Sequence, residues 1–183
     1  MMIPVGYMAK RVVARPDSIK SDQVKDIYSV SGCISEYFCD YIDYWQHNGY
    51  WLFDSPQVIQ TLAQENGIDL SGTTLFYYEA YELQADVNEP VWQAFEAESA
   101  FATHVVTPDE KQLIGFDVVS FSGGTAPECS YLSCNHMAEK IAVNEHCLLA
   151  SFEQAKALID QKAFAGCEPG PCRIFAVYQV KNT

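Results

Sequence analysis

Apolar and polar positions along the chain fall into short runs that predict strands at 27–30, 50–53, 73–83, 116–122, 146–150 and 173–180. Within 73–83 the period of two places Leu75, Tyr77, Tyr81 and Leu83 on one face. Ile174 to Tyr178 is the longest strand-like apolar run and suits a core strand. Between these runs the spacing changes to three and four. Ile34, Phe38, Tyr41, Ile42 and Trp45 form a helical stripe that Asn48-Gly49 ends, because Asn and Gly accept the left-handed conformation cheaply. Ser55-Pro56 predicts a second helix, with proline at the first helical position where its missing N–H costs nothing. A short helix is expected at 133–140. Ser151-Phe-Glu-Gln154 then has the capping-box spacing ahead of Ala155, Leu158 and Ile159.

Parts of this pattern recur. Ser29-Val-Ser-Gly32 returns 91 residues later as Ser120-Phe-Ser-Gly123. Trp51-Leu-Phe-Asp-Ser55 returns 96 residues later as Cys147-Leu-Leu-Ala-Ser151, and the run 75–83 returns 97 residues later as 172–180. Three elements in one order predict an α+β (or α/β) fold of two sequence-related halves, duplicated from one unit. Each half reads strand-helix-strand-helix-strand, and the two share mixed sheets. The expected organisation is a basic N-terminal arm (1–25), a first α/β half (26–83), a linker (84–112) and a second α/β half (113–183). Trp92, Phe95 and Phe101 are expected to pack the linker onto the body. At 183 residues, a chain of this kind buries roughly 70% of its unfolded-state surface, enough to fold without disulfides or metal.

Charge adds a constraint that hydropathy does not. The formal net charge is −13, and no Lys or Arg occurs from Asp26 to Glu110, a window with fifteen acids and sixteen of the twenty-four aromatics. Residues 1–25 carry +3 and residues 26–183 carry −16. Phosphate binding needs cations in number, so neither nucleic acid nor an anionic membrane is an expected partner. The apolar start of the chain precedes its basic cluster, the reverse of a secretory signal, so a cytoplasmic protein with reduced thiols is expected.

Several residues have the chemistry of a site. Cys129, Cys134, His136, His146, Cys167 and Cys172 are the ligand types zinc prefers, although neither cysteine pair has the tight Cys-x2-Cys spacing. Reduced cysteine is also a common core residue, and core use is the preferred reading, with no metal or other cofactor assigned. Cys134 with His136 or His146 as base, oriented by Asn135 or Asn144, would make a nucleophilic pair. The Gly123-Gly124 pair lacks the rest of a phosphate loop.

The reading favoured by charge and aromatics together is a binding protein of the immunity or inhibitor kind. Its acidic, aromatic face would capture a basic partner protein. Asp40, Asp43, Tyr44, Trp45, His47 and Tyr50 form one expected patch, and Glu79, Glu82, Asp86 and Glu89 a second. The alternative is a small Cys/His-dependent enzyme or zinc-binding protein built on the second half.

Overall fold

The first apolar run, which shows no clean alternation, becomes a strand whose two faces are both covered. Residues 5 to 10 are all buried in β1 (Met2–Arg11), so the segment read as the start of a basic arm lies inside the sheet. The computed structural model describes residues 1–98, 103–121, 124 and 126–181. Phe101, Ser122 and Gly123, which figure in the sequence patterns, lie outside them. After β1 come β2 (Val13–Ala14), β3 (Asp26–Ile27), β4 (Glu36–Tyr37), α1 (Pro56–Glu65), β5 (Thr74–Tyr81) and β6 (Leu83–Asp86). β7 (Gln93–Ala94), β8 (Gln112–Ser120), α2 (Phe152–Asp160) and β9 (Pro171–Gln179) complete the order.

Four long strands make the framework, in the order β1-β5-β9-β8 and antiparallel throughout. β4 extends the sheet beyond β1, while β6 prolongs β5 along the same edge of β9 and carries β7 on its outer side. The break between β5 and β6 is filled by Arg173 of β9. Its Nε and Nη2 both donate to the Tyr81 carbonyl, at 3.0 and 2.9 Å, and its guanidinium lies 3.9 Å from the Phe95 ring centre. Burial lowers the Arg173 pKa to about 10. Two hydrophobic clusters are organised around this framework, one around Tyr7, Phe53 and Tyr77 and the other around Ile27, Tyr131 and Ile174.

The expected α+β (or α/β) pair of duplicated halves is not what forms. Among the described residues the molecule is mostly antiparallel sheet, with two α-helices of only ten and nine residues. The helix expected from Ile34 to Trp45 is absent because its backbone is used otherwise. Phe38 N–H donates to the Ala9 carbonyl of β1 (2.9 Å), and Tyr37 N–H donates to the Asp40 carboxylate (2.8 Å). Tyr41, on the expected apolar stripe, is 74% exposed. The strands expected at 50–53 and 146–150 are turns tied to long strands by single bridges, Tyr7↔Phe53 and Phe116↔Leu149. The helix expected at 133–140 shrinks to a 3-10 turn, Met137–Glu139. Without those elements no strand-helix-strand-helix-strand unit is left to be repeated among the described residues, so neither internal duplication nor an alternating alpha-beta chain describes the fold.

One local device does occur twice, and it explains why certain strand glycines are needed. The Asn48 amide donates to the Val5 carbonyl (2.9 Å), and its Oδ1 accepts from the N–H groups of Tyr50 and Leu52. Asn144 does the same for Ile114 (2.8 Å), His146 and Leu148. Each loop presses against a strand glycine. A Cβ on Gly6 (φ +133°) would lie 2.7 Å from the Phe53 carbonyl, and one on Gly115 would lie 2.8 Å from that of Leu149.

Each loop then leads into a helix, but the two starts are not equivalent. Ser151 Oγ accepts from Gln154 N–H (3.1 Å), and the Gln154 side chain reaches back to Ala150 N–H (2.9 Å). Ser55 makes no such side-chain bond, its helix relying on Pro56 at the start. Ser151→Ala is therefore expected to cost about 1 kcal/mol in a urea unfolding experiment and Ser55→Ala only a few tenths. Equal losses would mean that the cap bond contributes nothing.

Candidate functional site

The irregular segment between β3 and β4 is held by opposite charges buried beneath it. Lys10, on β1 and fully buried, donates from Nζ to the carbonyls of Ser29 (2.5 Å), Ser31 (2.5 Å) and Val30 (3.4 Å). Asp117, on β8 and equally buried, accepts from Val30 N–H (2.9 Å) on one side and from Ser130 Oγ (2.6 Å) on the other. Burial is the main influence on both: it pushes Lys10 down to about 7 and Asp117 up to about 6. One carboxylate thus joins two segments that are remote in sequence, 29–31 and 128–135.

Those two segments carry three thiols that meet. Cys33 follows the first; Cys129 and Cys134 belong to the second. Their Sγ atoms all lie within 4.8 Å of one another, with Cys33 and Cys129 at 3.7 Å. Backbone contacts fix the second segment: Ser120 N–H donates to the Cys129 carbonyl (2.9 Å), and Cys134 N–H to that of Ser130 (2.9 Å). The Ser31 hydroxyl lies 3.7 Å and the Ser133 hydroxyl 3.9 Å from the Cys134 sulfur. Cys33 is exposed, while the other two are half-buried. Burial raises all three thiols, Cys134 to about 11, the opposite of what an activated nucleophile requires.

Sequence spacing links Cys129 and Cys134 with His136, His146, Cys167 and Cys172; the structure links them with Cys33. His136 is exposed, in a left-handed conformation at the head of the 3-10 turn. His146 directs Nδ1 at Asp26 (2.6 Å) and stacks on Tyr28 with ring centres 4.1 Å apart. Neither His136 nor His146 hydrogen-bonds to a thiol. Asn135 accepts from Glu168 N–H and Asn144 braces its own loop, so neither orients a catalytic base. Cys167 lines a shallow cleft with Met137, Lys140 and Glu168, and Cys172 is buried in β9. Cys33 carried no signal in the sequence, being 96 residues from Cys129 with no cysteine partner at ligand spacing nearby.

The first acidic patch divides into a base and a crest. Trp45 packs on Phe53 and Trp51 (ring centres 5.0 and 6.1 Å), His47 stacks on Trp51 (3.7 Å), and the half-buried Tyr50 faces Phe95. Above them Tyr41 and Tyr44 are 74% and 88% exposed, with the exposed Glu36 and Asp43 and the partly covered Asp40 carboxylate beside them. Asp40 is raised by burial and is felt by the buried Lys10, while Tyr41 donates to Glu36 (3.0 Å). No ion pair reaches Glu36, Asp40 or Asp43 among the described residues; Arg11 donates instead to the Asp69 carbonyl and Arg15 pairs with Asp22.

The second patch is more fully compensated. Glu79 pairs with Lys111, whose ammonium lies over the rings of Tyr77 and Tyr178 (4.9 and 4.4 Å). Glu82 pairs with the N-terminal amine of Met1 (2.5 Å). Asp86 accepts from the N–H groups of Asn88 (2.8 Å) and Glu89 (3.4 Å), and Glu89 is exposed.

Neither a family model, nor a curated protein, nor a solved structure matches the chain. Among the described residues no helix is long and apolar enough to cross a membrane.

Proposed function

We propose that the protein binds a basic partner protein through the segment from Glu36 to Tyr44, working in the cytoplasm. The observation that carries this reading is the crest itself. Two tyrosines, 74% and 88% exposed, stand beside Glu36 and Asp43, which no ion pair reaches among the described residues, and beside Asp40, which feels only the buried Lys10. Tyrosine anchors a contact with little loss of side-chain freedom, and unpaired carboxylates draw in a cationic surface. The net charge of −13 repels polyanions, so the partner is a protein rather than nucleic acid or anionic lipid. The second patch is a weaker candidate, because Glu79 and Glu82 already hold cations.

Selection from a displayed peptide library tests this reading without knowledge of the partner. The wild-type chain is expected to enrich Lys- and Arg-rich peptides whose affinity falls steeply with salt. The triple variant Glu36→Lys/Asp43→Lys/Tyr44→Ala should lose at least about tenfold, or roughly 1.4 kcal/mol, while Glu79→Gln/Glu82→Gln should bind as wild type. Enrichment without cationic bias, or binding that survives the triple variant, sinks the proposal. Cys134 is a poor nucleophile for a Cys/His enzyme, because burial raises it to about 11 and it hydrogen-bonds to no histidine.

A further inference from the structure

Thiols that meet at the surface of a protein have three common fates: they simply touch, they join as a disulfide, or they hold a metal ion. The sulfur spacing leaves the coordination triangle within reach, and the contacts around the sulfurs weigh between the three fates. A disulfide needs sulfurs at about 2.05 Å, so Cys33 and Cys129, now 3.7 Å apart, would have to close by well over an ångström. Around a tetrahedral ion with Zn–S bonds of about 2.3 Å, sulfurs stand roughly 3.8 Å from one another. One pair is already at that spacing and all three lie within 4.8 Å, so only small rotations separate the cluster from a coordination triangle.

The supporting contacts point the same way. The two segments that deliver the sulfurs are not independent loops that happen to touch. Asp117 binds both, through Val30 N–H and Ser130 Oγ, and Lys10 secures the Ser29 and Ser31 carbonyls, four and two residues before Cys33. The Ser31 and Ser133 hydroxyls stand beside the Cys134 sulfur, where O–H donors offset thiolate charge. A ligand set fixed in advance by its neighbours is what distinguishes a metal site from a chance contact.

We infer that Cys33, Cys129 and Cys134 form a three-thiolate site for a single thiophilic metal ion of the zinc class, with the fourth position facing solvent beside exposed Cys33. Thiolate sulfur selects zinc and similarly soft ions over calcium and magnesium, which need oxygen cages. On binding, each thiol gives up its proton to solvent and its sulfur supplies the electron pair of the new bond. The ion would join Cys33 to a segment 96 residues away and so brace the turn that leads into the acidic tyrosine crest. The site does not depend on the partner-binding reading.

Titration of the reduced, metal-free chain with Zn2+, and with Co2+ as a spectroscopic stand-in, tests the assignment. One ion per chain is expected, with a thiolate-to-cobalt charge-transfer band, the intense visible bands of tetrahedral cobalt, and protection of three thiols from alkylation. Cys33→Ser, at an exposed position the fold does not rely on, should weaken zinc binding on the order of 100-fold, and Cys129→Ser likewise. Cys167→Ser, outside the cluster, should bind as wild type. No stoichiometric zinc, equal affinity in Cys33→Ser, or isolation of the chain with a Cys33–Cys129 disulfide that excludes zinc would each overturn the assignment.

Discussion

Asn48→Ala is expected to remove about 3–5 kcal/mol of unfolding free energy, a large share of the roughly 5–15 kcal/mol that holds a domain of ordinary stability together. The side chain is buried and fills four roles at once. Its amide donates to the Val5 carbonyl (2.9 Å) and to Asp54 (2.9 Å), while its carbonyl accepts from Tyr50 N–H (2.9 Å) and Leu52 N–H (3.1 Å). Each bond contributes about 1 kcal/mol net, but truncation also strands the buried Leu52 N–H and Val5 carbonyl, at roughly 1–3 kcal/mol apiece if no water reaches them. Gly6→Ala should be comparably severe. Its φ of +133° is one side chains avoid, and the new Cβ would lie 2.7 Å from the Phe53 carbonyl, a backbone atom that cannot swing aside. Asn66→Ala is the control: among the described residues that exposed side chain bonds only to its own helix, at Leu62, and the change should cost under about 1 kcal/mol. Urea midpoints at constant m-value decide the matter, and a loss below about 1 kcal/mol for Asn48→Ala would show that the loop repacks without it.

What the sequence disclosed and what it hid differ by the range of the interaction involved. Signals contained within a few residues were legible: Ser55-Pro56 and Ser151-x-x-Gln154 each start a helix, and the runs around Tyr77, Val118 and Ile174 each lie in a strand. The stripe from Ile34 to Trp45 misled because a helix is only one way to use that spacing. Here Ala9 and Asp40 took the backbone groups a helix would have needed. β1 was missed for the converse reason, since a strand buried on both faces shows no alternation and a basic cluster follows it. The acidic crest was visible as a charge window, although nothing local showed that Glu79 and Glu82 would find cations at Lys111 and the N-terminus. Spacing drew attention to Cys129 and Cys134. The third thiol depended on Asp117, which bridges residues 87 and 13 positions away, and no periodicity encodes a contact of that kind.

That same bridge yields the other large expected effect. Lys10→Met should destabilise the chain by about 3–5 kcal/mol, the usual cost of removing one member of a buried, hydrogen-bonded set of charges. Methionine has similar bulk, so at about pH 6 to 7, where Lys10 and Asp117 both carry charge, the loss arises from the Ser29 and Ser31 carbonyls that lose their ammonium and from Asp117, left without its buried counter-charge. Lys10→Met/Asp117→Asn should cost less than the sum of the single changes, because the second substitution removes the charge that the first left uncompensated. The pH dependence carries the sign. Burial holds Lys10 near 7 against an ordinary 10.5, so in that window the unfolded chain binds a proton that the folded chain has released. Stability from this group therefore grows as pH rises from about 7 and fades as pH falls through about 7. Asp117 acts in the opposite direction. Raised from 3.8 to about 6, it keeps a proton when folded that it loses when unfolded, so its contribution declines as pH rises through that range. Urea unfolding of the wild-type chain should thus show stability from these two groups lowest near about pH 6 to 7, and Lys10→Met should flatten the alkaline rise. A variant that keeps the full rise would place its origin elsewhere, and additive costs in the double variant would mean that the two charges do not sense each other across Val30.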